Sequence, residues 1–308
     1  MDIFIDYDTI CINCQEKGYS FGYGFKIIEY KGFKILDSPH PYLNGACIYF
    51  EYDKKKKIFR RSIENTNNLE NSIKGFKFAM INARTSKNNL VSRFTYTYTF
   101  PQESIKDKQI RRIFEYIDVY RFKNKPYFFI FYSFRNLTGK IIKNFNFYQF
   151  YDFDLYGEES YLNDIAKFDS KLGIIYQYDN KEGFDKSLFA GIGSTKYPNK
   201  FECNIPQEIY IFNKGKISLR NYSEQGPADC AVALQWNSSL FRPEELKIFP
   251  IMMVTGLGSE DFFNNINEAR KNLETHQKSV LRAVENISRQ KIDLKLEKLS
   301  FSQRIWCS

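Results

Sequence analysis

Strand-like segments follow one another from the N-terminus to about Gly256, and no helical pattern separates them. The segment LVSRFTYTYTF, from Leu90 to Phe100, alternates small polar side chains with larger ones at a period of two. That pattern is typical of a half-buried strand. Many strands at short spacing, without alternating helices, predict antiparallel sheets. We therefore expect a mainly β fold, a large antiparallel β-sandwich with a C-terminal helical segment.

Two segments set the expected centre of this sandwich. KPYFFIFYSF, from Lys125 to Phe134, is apolar on both faces and predicts a central strand that is covered on both sides. QIRRIFEYIDVYRF, from Gln109 to Phe122, fits either a helix face or a strand face. Its Tyr, Ile and Val residues favour strands, so we interpret it as a strand.

The pattern changes after Gly258. Ser259 can cap a helix, and Glu260 and Asp261 stand in the first turn, where acidic side chains suit the helix dipole. A long helix is predicted by an apolar stripe at three- and four-residue steps. The stripe consists of Phe262, Ile266, Ala269, Leu273, Val280, Leu281, Val284 and Ile287.

The chain is accordingly predicted to have two parts. Residues 1–258 form the sandwich, and residues 259–308 form C-terminal helices that either pack on the sandwich or serve as a linker. A second, shorter helix is expected over residues 294–306. His276 falls on the apolar stripe of the long helix, where we expect a partly buried histidine with a hydrogen-bond partner.

The chain is basic, with a formal net charge of +9. Such a balance fits nucleic acid, an anionic membrane or lysine-rich surface loops. The basic residues are spread along the sequence except for the run KKKKIFRR, from Lys54 to Arg61. We interpret this run as an exposed hairpin tip or loop, with a phosphate-binding patch as the alternative. Nucleic acid is not an expected partner.

The N-terminal segment MDIFIDYDTI carries acids where a secretory signal carries basic and then apolar residues. No stretch reaches the roughly 20 apolar residues that a membrane-spanning helix needs. The sequence thus predicts a cytoplasmic protein without a membrane span.

The six cysteines are scattered and lack the dense spacing of a disulfide framework. Cys11 and Cys14 form a single C-x-x-C motif. A structural zinc ion needs four nitrogen or sulfur ligands, which Cys47 or His40 could complete only if the fold brought them near. We expect a reduced pair in a strand or turn, and no metal site.

The motifs of nucleotide and nucleophile chemistry are incomplete. GIGSTKYP, from Gly191 to Pro198, has G-x-G and a lysine but lacks the rest of either nucleotide motif. There is no G-x-S-x-G elbow, and His40 and His276 are the only histidines. No cofactor is predicted.

The remaining candidates for a functional site are the carboxylates of the segment NFYQFYDFDLYG. If this segment is a strand, Asp152 and Asp154 share one face with Tyr148 and Phe150, because strand side chains alternate. The Cα atoms of the two aspartates would then lie about 6.5–7 Å apart. The opposite, core-facing side would carry Phe145, Phe147, Tyr151, Phe153 and Leu155.

Three interpretations of the two aspartates remain open. They could lie on a solvated or hydrogen-bonded sheet face. They could contact a sugar or, with Asn163 and Asp164, form a cation site, because hard cations prefer several oxygen ligands. They could be a glycosidase pair, although parallel side chains on one strand would not flank a sugar.

The order of features in the second half of the chain resembles a known family. FYQFYDFDLYG, YLNDIAKFD, GIIYQY and FAGIGSTKYPNKFEC precede GPADCAVALQW, a Leu-x-x-x-Glu turn and an apolar strand. Gly-x-Gly-Ser then leads into a helix with an Ala-Arg pair. From about Phe128 to Arg289 this order is similar to the N-terminal β-sandwich and linker helices of family-15 glycoside hydrolases, the glucoamylase type. More loosely, it resembles galactose-mutarotase-like sandwiches.

The resemblance implies a supersandwich-like fold associated with carbohydrate. In that family the catalytic acids lie in an (α/α)6 toroid that follows the linker helices. We expect this toroid to be absent, because the sequence ends at Ser308. No catalytic residue is therefore carried over from the family.

The leading hypothesis is a non-catalytic module of carbohydrate (α-glucan) metabolism that binds a glycan or packs against a catalytic partner. The candidate binding residues are Tyr148, Phe150, Asp152, Asp154 and Trp236, because sugar rings stack on exposed aromatic side chains. A sheet or helix that covers this face would remove that option. The alternatives are a mutarotase-like or lyase-like enzyme, which the scarcity of histidine disfavours, and a structural or assembly protein.

Overall fold

The structure is a computed structural model that describes residues 3–6, 11–15, 18–22, 27–37, 45–52, 57–60, 77–85, 91–99, 111–157, 160–209 and 218–289. These residues form large antiparallel sheets followed by one long helix. The predicted fold class is therefore confirmed.

The described strands are numbered here in chain order. They are β1 (Ile3–Asp6), β2 (Cys11–Gln15), β3 (Gly18–Gly22), β4 (Ile27–Tyr30), β5 (Phe33–Asp37), β6 (Gly45–Tyr52), β7 (Lys57–Arg60), β8 (Lys77–Thr85), β9 (Val91–Thr99), β10 (Arg112–Arg121), β11 (Tyr127–Leu137), β12 (Ile142–Tyr151), β13 (Asp164–Asp169), β14 (Ile174–Asp179), β15 (Leu188–Ser194), β16 (Lys200–Asn204), β17 (Glu224–Ala228), β18 (Ala231–Phe241) and β19 (Leu246–Leu257). The helices are α1 (Pro206–Ile209) and α2 (Ser259–Arg289), with a 3-10 turn at Tyr161–Asn163.

Two antiparallel sheets stack to form the sandwich. The larger sheet has nine strands in the order β17-β13-β14-β15-β19-β11-β10-β9-β8. The smaller sheet has five strands in the order β16-β18-β12-β6-β7. A three-stranded sheet, β1-β4-β5, and the hairpin β2-β3 complete the described strands.

Strand β11 lies near the middle of the nine-stranded sheet, between β19 and β10. Its residues from Tyr127 to Phe134 are buried whichever face they point to, as predicted for this segment. The ambiguous segment before it is strand β10, which pairs along its length with β9 and β11. Because both faces of this part of the sheet are covered, aromatic side chains can point to either side without reaching water.

The core between the two sheets is rich in aromatic side chains. On β12 and just after it, the predicted core-facing residues all lie in this core: Phe145, Phe147, Tyr151, Phe153 and Leu155. Phe147 stacks on Phe249 of β19 in the opposite sheet, with ring centroids 4.5 Å apart. Burial of each such side chain contributes about 1.5–3 kcal/mol, so this layer holds the two sheets together.

Helix α2 covers part of the outer face of the nine-stranded sheet. Its buried side chains form a second core with residues of β10, β11, β14, β15 and β19. These side chains are Phe262, Ile266, Ala269, Leu273 and Val280. The apolar stripe is therefore confirmed as far as Val280, and the side chains of Val284 and Ile287 lie outside the described residues.

Two glycines let α2 approach the sheet closely. A Cβ atom on Gly256 would lie 2.5 Å from the Cα atom of Phe262, and one on Gly191 would lie 2.9 Å from the ring of Phe262. Either contact is too short for a real side chain. The G-x-G motif of GIGSTKYP thus lies inside β15, where Gly191 makes room for α2.

The start of α2 differs from the prediction. The carbonyl of Gly258 accepts the first helical hydrogen bond, from the N–H of Phe262 at 3.1 Å. Gly258, with a φ of +87°, therefore occupies the capping position that was expected for Ser259. The Ser259 hydroxyl donates instead to Asp185, at 2.7 Å.

His276 has the environment that the sequence predicts. Its side chain is partly buried, and Nδ1 lies 2.9 Å from the carbonyl oxygen of Asn272. The imidazole packs edge-on against Phe122 and Phe129, with ring centroids 5.0 and 5.7 Å away. These contacts make His276 a packing residue of the helix–sheet interface.

Several predictions fall partly or wholly outside the described residues. His40 and the second helix over residues 294–306 do so entirely. The C-x-x-C motif lies on β2. Within the basic run, Lys57–Arg60 form β7, which pairs with β6, so this part is a strand and not the predicted hairpin tip or loop. Among the described helices, none combines the length and apolar character needed to cross a bilayer.

We expect substitution of Phe262 by Ala to destabilise the fold severely. Phe262 is fully buried and stacks on Phe189 of β15 at 4.9 Å, so its loss leaves a cavity between α2 and the sheet. Urea titration should show a free energy of unfolding lower by about 3–5 kcal/mol. The exposed Lys271 on the same helix provides the control: K271A should change stability by less than about 0.5 kcal/mol. Equal stability of F262A and K271A would contradict the packing described here.

Candidate functional site

The two aspartates of NFYQFYDFDLYG do not lie on a strand. Strand β12 ends at Tyr151, and Asp152 and Asp154 follow it in an irregular segment that turns at Leu155 and Tyr156. The expectation that both carboxylates belong to a sheet face is therefore wrong. Both side chains are half-buried rather than fully solvated.

Instead, these aspartates lie near a buried pair of carboxyl groups. Asp164, the first residue of β13, is directly opposite Asp179, the last residue of β14. Both side chains have no solvent exposure. The hydroxyl of Ser160 and the backbone N–H of Lys181, the latter at 2.7 Å, donate to the carboxylate of Asp179.

Gln177 connects this pair to the rest of the sandwich. Its side-chain amide donates to the carbonyl oxygens of Phe153, at 3.2 Å, and Cys230, at 2.9 Å. It also reaches Oδ2 of Asp164 at 3.4 Å. One buried amide thereby joins the end of β12, the start of β13 and the start of β18.

Asp164 is protonated at neutral pH. Burial, followed by the charge of Asp179 and more weakly those of Asp154 and Asp152, raises the pKa of Asp164 to about 9, although a hydrogen bond from the Leu155 backbone opposes this. A neutral carboxyl beside an ionised one is the usual result when two acids share a dry site. The Ser160 hydroxyl and the Lys181 backbone N–H donate to the neighbouring Asp179 and not to Asp164.

The arrangement does not resemble a metal site. The part of the chain that the structure describes contains no group of three or more His, Cys, Asp or Glu side chains placed to hold an ion. Asp164 and Asp179 lie between the sheets, where their hydrogen bonds serve the fold. The acids therefore form a structural network at one end of the sandwich.

The predicted aromatic face is closed. Tyr148 and Phe150 point away from the sandwich core, as predicted, but they are 0% and 2% exposed. Their rings stack on each other at 6.0 Å. Tyr148 lies across from Gln235 of β18, whose side-chain oxygen accepts a hydrogen bond from the N–H of Leu219, at 3.0 Å. Neither ring is therefore open to stack on a sugar.

Trp236 is also buried, on the inner face of β18. Its ring packs against Phe147 and Phe249, at 5.9 and 6.4 Å. The indole N–H donates to the carbonyl oxygen of Lys196, at 2.9 Å. Trp236 thus holds the backbone of the turn between β15 and β16, directly before Tyr197.

Two tyrosines that the sequence did not single out are the most exposed aromatic residues in the described part of the chain. Tyr197 is 58% exposed and Tyr222 is 50% exposed. The ring of Tyr197 contacts Phe168 edge-on at 6.1 Å, and its hydroxyl donates to the carbonyl of Ser170 at 3.1 Å. The ring is therefore fixed in place despite its exposure.

Tyr222 lies beside β16, at the same edge of the sandwich as Tyr197. Its carbonyl accepts a hydrogen bond from the N–H of Cys203 in β16, at 2.8 Å. The neighbouring residue in β16, Phe201, stacks on Phe168 of β13 at 3.7 Å. Both exposed tyrosines therefore lie where β16 of the smaller sheet meets β13 of the larger sheet.

A buried ion pair fixes the segment that carries Tyr222. Glu202 has no solvent exposure and accepts hydrogen bonds from the guanidinium and the backbone N–H of Arg220, the latter at 2.8 Å. Arg220 also bonds Glu208 of α1 at 3.2 Å. Its guanidinium carbon lies 4.8 Å from the centroid of the Tyr222 ring. One face of that ring is thus supported by a cation.

Sequence patterns contain only weak signals for these two residues. The segment GIGSTKYP resembles part of a nucleotide motif, although its Tyr197 is the exposed feature. Nothing in the local pattern of RNYSE distinguishes Tyr222 from the buried tyrosines of the chain. Exposure here depends on which segments cover each other after folding.

No family model and no curated protein matches this sequence. Several solved structures align with it at low similarity. A polysaccharide lyase aligns with 87% of this chain at 11% identity and a TM-score of 0.43. A mutant of heparan sulfate lyase HepC from Pedobacter heparinus aligns with 77% at 14% identity and a TM-score of 0.35. A protein from Klebsiella pneumoniae assigned as an aldose 1-epimerase aligns with 82% at 9% identity and a TM-score of 0.39.

The chain spans 34% of the polysaccharide lyase, 30% of the heparan sulfate lyase and 78% of the Klebsiella protein. The names of these proteins refer to carbohydrate chemistry. Similarity at this level concerns the β-sandwich alone and carries no argument about what this chain binds. The family-15 glycoside hydrolase resemblance is not confirmed by these matches and stays a prediction.

The buried carboxyl pair predicts a pH-dependent stability. In the unfolded chain Asp164 ionises near pH 4, whereas the folded protein keeps its proton up to about pH 9. Unfolding between these values therefore releases a proton, and stability falls as pH rises, by at most about 1.4 kcal/mol per pH unit from this group. Urea titrations of the wild type and D164N at pH 5, 7 and 9 measure the effect.

Asn is a neutral mimic of the protonated carboxyl and does not titrate, so D164N should lose this part of the pH dependence. A second variant, the exposed-site D185N, serves as the control and should keep the wild-type slope. Parallel pH profiles for the wild type and D164N would show that Asp164 is ionised in the folded protein.

Proposed function

We propose that this chain is a non-catalytic β-sandwich module that binds a glycan at Tyr197 and Tyr222. The observation that carries the proposal is the placement of two exposed, immobilised tyrosine rings on one edge of the sandwich. Sugar rings present C–H groups on their flat faces, and these stack on aromatic rings. Rings that are fixed before binding lose little conformational entropy on contact with a ligand.

Polar groups for sugar hydroxyls lie beside each ring. Asn199 and Asn221 are exposed, and each uses its side-chain oxygen to accept a backbone N–H: that of Asn237 at 2.7 Å and that of Phe201 at 3.2 Å. Their amide NH2 groups have no acceptor among the described residues. Each tyrosine is therefore close in sequence to an oriented donor that a hydroxyl oxygen can use.

In this proposal the binding residues predicted from the sequence position the two tyrosines and do not contact the glycan. Trp236 holds the carbonyl of Lys196, next to Tyr197. Gln235, which lies across from Tyr148, holds the N–H of Leu219, three residues before Tyr222. Tyr148, Phe150 and Trp236 would then position the platform rather than contact the glycan. Asp152 and Asp154 would act only through the buried network of Asp164.

Binding should be measured on a glycan array and then by calorimetry, with maltoheptaose as the α-glucan probe. The wild type should bind at least one glycan. The variants Y197A and Y222A should each weaken that binding by about two- to tenfold, which corresponds to the 0.5–1.5 kcal/mol of an aromatic stacking contact. The double variant should lose detectable binding.

A matched control is Phe33, another exposed aromatic residue, which packs edge-on against Tyr156 in a different part of the molecule. F33A should bind like the wild type. Y197F, which keeps the ring but not its hydroxyl, should retain most of the affinity. A wild-type protein that binds no glycan on the array would overturn the proposal and favour packing against a catalytic partner.

A further inference from the structure

A stack of one guanidinium and two aromatic rings lies on the outer face of the nine-stranded sheet. Arg112, Phe114 and Tyr116 alternate along β10 and point to the side on which α2 packs. The guanidinium carbon of Arg112 lies 5.1 Å from the centroid of the Phe114 ring. The rings of Phe114 and Tyr116 are nearly parallel, with centroids 6.1 Å apart. Helix α2 packs mainly on β19, β11 and β15, beside this stack.

Arg112 is a cation without a counter-charge. None of the carboxylates in the described ranges forms an ion pair with it, and burial lowers its pKa. Its two neighbours of like charge differ in this respect. Arg93 pairs through two nitrogens with Asp118, and Arg135 pairs with Glu244 at 2.8 Å. Of these three arginines, Arg112 alone has a guanidinium that no described acid neutralises.

Two hydroxyl groups beside the stack lack partners as well. Oγ1 of Thr97 is buried and has no hydrogen-bond partner within the described structure. Thr97 lies directly opposite Phe114, and therefore next to the path of the Arg112 side chain. The Tyr116 hydroxyl also forms no hydrogen bond with a described residue, although its oxygen, unlike that of Thr97, is not fully buried. Buried polar groups normally have a partner, because each one left without it is costly.

The electrostatic surroundings of this stack are positive. Burial raises the pKa of Tyr116, whereas the charges of Arg135, Arg93 and Arg112 all lower it, which places three guanidinium groups around one phenol. Two carboxylates, those of Asp118 and Glu244, face these three cations. Counted over the described residues, the group therefore has an excess of one positive charge, in half-dry surroundings where charge interactions are stronger than in water.

From these contacts we infer an oxyanion-binding site on the outer face of β9 and β10. The guanidinium of Arg112 supplies the charge and parallel N–H donors, and the hydroxyl of Thr97 supplies a further donor. The ligand is a carboxylate, sulfate or phosphate group, either free or carried on a larger molecule such as an acidic sugar. Guanidinium is suited to all three because its planar N–H donors match the spacing of their oxygens. This site involves none of the residues proposed to bind glycan.

Calorimetry with sodium sulfate, sodium phosphate and sodium glucuronate, at ionic strength matched with sodium chloride, tests this inference. The wild type should bind at least one of these anions saturably, with a stoichiometry of one. R112Q should weaken binding at least tenfold, because hydrogen bonds to a charged donor are the strongest in such a site. K171Q, which removes one positive charge from the exposed β13–β14 turn, should bind like the wild type.

T97V gives a second test that does not depend on charge. Valine has the shape of threonine and keeps the β-branch, so β9 should fold as before. T97V removes a hydroxyl that has no partner among the described residues, so the thermal midpoint of the anion-free variant should equal or exceed that of the wild type. Anion affinity should nevertheless fall, by about threefold. A structural role for the hydroxyl would lower the midpoint instead.

The choice of anions separates the two sources of ligand. Binding of sulfate or phosphate but not glucuronate indicates a site for a free or esterified inorganic anion. Binding of glucuronate indicates that the carboxylate of an acidic sugar fits. Absence of saturable binding for all three, or binding that R112Q and T97V leave unchanged, overturns the inference.

Discussion

Burial of both faces of the nine-stranded sheet is the constraint on which the rest of the structure depends. Strand side chains alternate, so a strand covered on both sides must be apolar or internally paired along its whole length. The sandwich core and helix α2 provide the two covers. Aromatic side chains fill much of both layers. The polar groups discussed above accordingly lie at the ends of strands, at the sheet edges and on the part of the outer face beside α2.

Several of the acids that remain inside are bound to other polar groups. Asp164, Asp179 and Gln177 form a network between the sheets, and Glu202 is neutralised by Arg220 at the edge. Isolated buried charges would be far more costly than such pairs. Acids that looked chemically reactive in the sequence therefore have structural partners. Groups without an ionic partner in the described ranges, such as the Arg112 guanidinium, are the ones that leave capacity for a ligand.

Much of the fold could be predicted from the sequence, because periodicity is a local property. The spacing of apolar residues predicts strand β11, the core-facing side of β12 and the apolar stripe of α2. For β10 the spacing is ambiguous, and the strand preference of its Tyr, Ile and Val residues decides. Side-chain direction was also right for Tyr148 and Phe150. Their burial was not predictable, because the segment around Leu219 that packs on this face is about 70 residues away. The exposure of Tyr197 and Tyr222 is likewise a tertiary property. The end of β12 at Tyr151 was missed because alternation continues in the sequence beyond it.

The glycines beneath Phe262 have a consequence for how the two layers are aligned. Gly256 and Gly191 leave a recess in the sheet surface that the side chain and backbone of Phe262 enter. A helix that slid by one turn along the sheet would bring Phe262 against full-sized side chains. The recess therefore fixes the position of α2 along the sheet, and with it the direction in which the chain leaves the sandwich.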